Sequence, residues 1–203
     1  MKKYVFLFLM CAMNSTFAAN YTLTIDGQSY DLDEGQKTTL TLADGKKISV
    51  NLEKKDVLSF ATKNFSFEHP QTAAPARSDL GEGVHQTMMT TPLGTLVLVQ
   101  EYVGLSPDLL VDMMVHELTK EEKDYGYKIE TTATDKTLAG GQKLSGKTVV
   151  ASYQGEVTSR DVISYSTNNG GLMIITMYDN ETTAEDMAMI ETFWKTLKIV
   201  DEE

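Results

Sequence analysis

The chain has 203 residues, 18 of them Lys or Arg and 29 Asp or Glu, for a formal charge of −11. That balance opposes a phosphate-backbone binder, which needs clustered basic side chains, and it opposes adhesion to an anionic membrane surface. The one cysteine, Cys11, falls in the leader described next.

Residues 1–18 read as a secretory signal peptide. Lys2 and Lys3 give a positive start, residues 4–13 form an apolar run too short to span a bilayer, and Thr16 and Ala18 place small residues at the −3 and −1 positions of a cut before Ala19. A lipoprotein start at Cys11 is excluded by Met10, which stands where a lipobox has Gly, Ala or Ser. Cleavage leaves 16 basic against 29 acidic side chains, a charge of −13. The mature chain then has no disulfide, thiolate metal site or cysteine nucleophile. No later segment is apolar and long enough to cross a membrane, so the expected product is soluble, periplasmic or secreted, with no membrane insertion after cleavage. The length suits one domain with a small appendage.

Residues 19–55 are expected to form a β-hairpin appendage. Two pairs of strands, 21–25 with 29–32 and 38–42 with 46–52, flank Asp26-Gly27 and Asp44-Gly45. Asp-Gly supplies the positive backbone dihedrals of a type I′ turn. Ile48, Val50 and Leu52 alternate, which predicts one buried and one wet face. The charged stretch 53–56 is the joint.

The main domain is expected over 56–200, with an acidic tail at 201–203. Phe65 and Phe67 share one side of a strand that Pro70 stops. Residues 71–83 have no periodicity and carry Pro75, Gly81 and Gly83, so they read as a mobile surface loop. Segments 84–91 and 94–103 make a hairpin around Pro92. Leu96-Val97-Leu98-Val99 is apolar without interruption, as in a strand covered on both faces. Ser106-Pro107 starts a helix with Leu110, Met113, Met114 and Leu118 as its stripe, and Gly126 ends it. Strand 127–134 follows, then glycine-rich turns over 138–146, then a meander of strands 147–153, 157–166 and 172–178. A capping-box spacing, Thr182 to Glu185, opens the last helix, whose stripe is Met187, Ile190, Trp194 and Leu197. Trp194 is expected to anchor it in the core.

The Phe65–Pro70 strand, the hairpin before a central helix and the meander running into a final helix near Leu197-Lys198-Ile199 together resemble the PsbP-like superfamily, which includes DcrB-like periplasmic proteins. The resemblance spans residues 58–200. It implies an α+β fold, an antiparallel sheet with two main helices packed on it, and a non-enzymatic binding or accessory role. The family has no universal catalytic motif, so it assigns no catalytic residue here.

His69, His85 and His116 are all the histidines and are the metal candidates, with Glu68, Glu82 or Glu117 as possible carboxylate co-ligands. None of them has the i, i+4 spacing of a zincin helix. No Gly-x-Ser-x-Gly elbow occurs. Asp31-Leu32-Asp33-Glu34-Gly35 lacks the glycine position and closing Glu of a calcium loop and reads as a solvated turn. Eight methionines after the leader (Met88, Met89, Met113, Met114, Met173, Met177, Met187 and Met189) offer thioethers for Cu(I), but their positions on apolar faces favour packing. No cofactor is expected. The leading expectation is an exported, non-catalytic binding or accessory protein of the bacterial envelope. It meets another envelope protein or a small ligand through the sheet face or the 71–83 loop, where Arg77, Asp79 and Glu82 are the contact candidates. The alternative is a small periplasmic hydrolase or Zn/Cu-handling protein.

Overall fold

In the computed structural model, which describes residues 21–200, β1 (Tyr21–Ile25) and β2 (Gln28–Leu32) meet at Asp26 and Gly27. Both turn residues have positive φ, 49° and 81°, as a two-residue type I′ turn requires. The second hairpin, β3 (Lys37–Thr41) and β4 (Lys47–Asn51), turns by another route. Gly45, at φ 81°, donates back to the Leu42 carbonyl at 2.9 Å, while Asp44 keeps a negative φ and accepts the Lys46 amide at 2.9 Å. That is a type I turn closed by a glycine bulge. The hairpins are tied by Tyr30 Oη donating to the Thr41 carbonyl at 3.0 Å and Gly35 N to that of Leu52 at 2.8 Å. Leu32 and Leu40 are buried. The Asp31–Gly35 stretch is thus the end of β2 and the join to β3, with Glu34 bridged to Leu52.

The chain divides into two units, one ending at Lys55 and the other beginning at Asp56. The second unit runs β5 (Val57–Ala61), β6 (Phe65–Pro70), β7 (Ala76–Gly81), β8 (Val84–Thr90) and β9 (Leu96–Val103). A 3-10 turn at Pro107–Leu110 then leads into α1 (Val111–Tyr125). There follow β10 (Lys128–Thr137), β11 (Lys143–Tyr153), β12 (Glu156–Thr167), β13 (Gly170–Asp179), α2 (Ala184–Thr196) and β14 (Lys198–Ile199). Seven strands form one antiparallel sheet in the order β10-β11-β12-β13-β9-β8-β7, and β14-β6-β5 form a second.

Alternation along the strands sends successive side chains to opposite faces of the large sheet, and two cores result. On one face, Val111 and Val115 of α1 pack on Val149, Val162, Met173 and Ile175. On the other, Phe65 and Phe67 of β6 and Met189, Ile190 and Phe193 of α2 pack on Val97, Val99, Leu144, Ile163 and Ile174. Val97 and Val99 serve one core and Leu98 the other, so the uninterrupted apolar run of β9 does reflect a strand covered on both sides.

The expected α+β class is overturned. Strand takes 55% and helix 18% of the described residues, which makes this a mainly antiparallel β fold with two helices. The expected arrangement, two helices on one sheet, fails because the strands divide between two sheets. Phe65 and Phe67 of the smaller sheet share the covering of one face of the large sheet, and α2 lies more against β6 than against β9. Parts of two segments read as loop are strand: β7 lies within 71–83, and β11 begins at Lys143, inside 138–146, after a tight turn from Leu138 to Gln142, while β10 runs on past 134 to Thr137.

The helix ends differ in detail. Ser106 makes no side-chain cap; the 3-10 turn comes first, and α1 ends at Gly126 in the left-handed region as expected. Along α1, Met113 faces solvent while Val111, Val115 and Thr119 are buried. The N-cap of α2 is Thr183, whose Oγ1 accepts the Asp186 amide at 3.1 Å; Thr182 instead closes the turn from Asp179. Phe193 is fully buried at the centre of its core, and Trp194 is half-buried at the margin, so the anchor of α2 is the phenylalanine.

Candidate functional site

At one end of the second unit the β5–β6 turn, the end of β9, the β12–β13 turn and the end of β14 surround an open cleft of about 800 Å³. Thr62 builds the first of these turns. Its hydroxyl accepts the amides of Asn64 and Phe65 at 3.1 and 3.2 Å, which projects Lys63 and Asn64 toward the cleft. Val200 N donates to the Asn64 carbonyl at 2.8 Å, and Gly104 N to that of Asn169 at 2.8 Å. These bonds pin two more walls.

The back wall depends on glycine. Gly171 has φ 154°, and a Cβ there would lie 2.1 Å from the Tyr165 carbonyl oxygen and 3.0 Å from the Pro107 ring. Any side chain would force the wall to move. Tyr102 and Tyr165 add ring surface, while Ser166, Thr167, Asn168 and Asn169 add hydroxyls and amides. Tyr102 Oη donates to Gln100 Oε1 at 2.7 Å, and burial pushes its phenol above the ordinary value. Lys63 is the one charged side chain lining the cleft, among the described residues.

Behind Asn64 sits a fully buried carboxylate, Glu101 of β9. Its Oε1 accepts Thr62 Oγ1 at 3.2 Å and Asn64 Nδ2 at 3.1 Å, and its Oε2 accepts Arg77 Nη2 at 2.6 Å. A buried charge survives only when paired and hydrogen-bonded in this way. Both oxygens are thereby committed to fastening the β5–β6 turn and β7 to the centre of the sheet. Among the described residues no histidine or carboxylate lines the cleft, and what they present there is ring surface, amides and hydroxyls.

The histidines sit on three separate elements. His69 on β6 is buried, with Nδ1 3.0 Å from its neighbour's carbonyl, that of Pro70, and its ring edge-on to Phe67. His85 on β8 has Nδ1 3.5 Å from Asp79 Oδ1. His116 is exposed on α1, on the opposite face of the large sheet from β6. Among the described residues no group of three or more His, Cys, Asp or Glu side chains could hold a metal ion. The methionines are split as well: Met89 and Met189 belong to one core, Met114 and Met173 to the other, and Met113 is exposed.

Of the contact candidates, Arg77 and Asp79 share one face of β7, and Glu82 lies in the turn after it at φ 52°. Sequence reasoning passed over Glu101, although a lone charge inside the run Leu96–Val103 was the available signal. No family model matches the chain, and no curated protein matches it.

Proposed function

We propose that this is an exported, non-catalytic binding or accessory protein of the bacterial envelope, and that the end cleft is its recognition site. The observation that carries this is the cleft's lining: tyrosine rings, amides, hydroxyls and one lysine among the described residues, with the Glu101 carboxylate behind Asn64 engaged in structure. Concave, mixed surfaces with a few convergent polar groups are where small ligands or partner side chains bind. The dispersal of His69, His85 and His116 weighs against the hydrolase and metal-handling alternatives. The likeness of the Phe65–Pro70 opening and the element order to the PsbP-like superfamily favours the same accessory role.

The test is native mass spectrometry on protein purified from the periplasm of its producing cell, beside an Asn168→Trp variant that fills the cleft from its exposed rim. The wild type is expected to carry an added mass, or a partner, that the variant loses. Equal retention by both, or none by either, would remove the cleft as the site. N-terminal sequencing of the same sample is expected to start at Ala19.

A further inference from the structure

β7 is an edge of the large sheet, pairing among the described residues only with β8, and every one of its residues is exposed. A bare edge is a template for another strand, and proteins usually defend it with repulsive charge, proline or a bulge. Here the bulge comes late: the register runs Ala76↔Met88, Arg77↔Thr87, Ser78↔Gln86, Asp79↔His85 and slips only between Asp79 and Gly81. Four residues remain regular, and their charges are of opposite sign on one face, two positions apart.

We infer that β7 pairs antiparallel with β7 of a second copy of this chain, centred on Ser78, to continue the sheet across a two-fold axis. In that register Ser78 faces its own equivalent. Arg77 faces the partner's Asp79, and Asp79 faces the partner's Arg77. Directly opposed side chains on paired strands lie about 5 Å apart at Cβ, close enough for ion pairing. The groups needed are available. The Arg77 side chain is 43% exposed and spends one Nη2 bond on Glu101, leaving most of its five N–H donors. Asp79 is 69% exposed at its side chain and uses Oδ1 for the Gly81 amide and His85, leaving Oδ2. An interface that reads the same from both sides is what a closed two-fold dimer requires.

The experiment uses periplasmically exported protein carrying Cys11→Ser, so that any thiol present is an introduced one. Sedimentation equilibrium is expected to give a dimer. Ser78→Cys is expected to form a disulfide-linked dimer on mild oxidation, because its equivalent lies across the axis. Ser59→Cys, exposed on edge strand β5, is expected to stay monomeric on a non-reducing gel. Asp79→Arg places like charges across the axis and is expected to weaken the dimer about tenfold or more, with an unchanged circular dichroism spectrum. A monomeric wild type at high micromolar concentration, cross-linking at position 59 as fast as at 78, or a folded Asp79→Arg variant that dimerises normally would each overturn the inference.

Discussion

The two faces of the large sheet are covered by different means. On one, α1 lies on aliphatic side chains, Val149, Val162, Met173 and Ile175, and ion pairs fasten it near both ends. Asp112 in its first turn pairs with Lys147 at 2.5 Å, and Glu122 near its end grips Arg160 through both guanidinium nitrogens at 2.5 and 2.9 Å. On the other face, α2 is held by rings: Phe193 meets Phe67 edge-on at 5.1 Å, and Phe67 stacks on Phe65 at 5.9 Å. A helix with a narrow apolar stripe is clipped at its margins, and one that buries aromatic bulk is held through its centre.

If that contrast is right, the largest loss comes from the aromatic side. Phe193→Ala should cost about 3–5 kcal/mol in urea unfolding, as large core truncations do. Half-buried Trp194→Ala should cost clearly less, and equal losses would break the distinction between centre and margin. Next comes the clip on α1. Glu122→Ala leaves Arg160 buried without its partner, and we expect about 2–4 kcal/mol, somewhat below the fully buried case because Glu122 is partly solvated. The cap of α2 is smaller: Thr183→Ala should cost about 1 kcal/mol, measured in the same unfolding series.

The smallest effect is a pH dependence at the start of α1. Asp108 is held below its ordinary value of 3.8, first by the Ser106 hydroxyl and then by that of Ser166. A depressed folded value means the contribution is present above the unfolded pKa and lost as pH falls through the folded one. Asp108→Asn should therefore flatten part of the stability loss below about pH 4, followed by thermal melts across the acid range. An unchanged acid limb would show that the serine contacts do not act on the carboxyl.

The parts of this fold that could be read in advance were those with local chemistry. Asp26-Gly27 marked its hairpin, Gly126 marked the end of α1, and the run in β9 announced a central strand. The segment that became β7 was unreadable for a physical reason: with all six residues exposed, an edge strand shows no alternation between apolar and polar. The polar starts of β11 and ends of β10 hid in the same way. Division into two sheets was equally hidden, since β14 has two residues and pairs with Phe65 and Ser66, more than 130 positions earlier. The cleft draws its walls from residues 63–64, 102–104, 165–169, 171–172 and 199–200, and no spacing rule joins these. Glu101 was the exception. A charge in an otherwise apolar strand asks for a partner, and Arg77 answers it from two strands away.

The sole tryptophan has Phe193 edge-on to it at 5.1 Å and the Lys136 ammonium 4.8 Å from its ring centre. Its fluorescence is therefore a local gauge for the seating of α2. Release of α1 from the opposite face would leave that emission unchanged, so a protein that loosened there first would give circular dichroism and emission melts that do not superimpose.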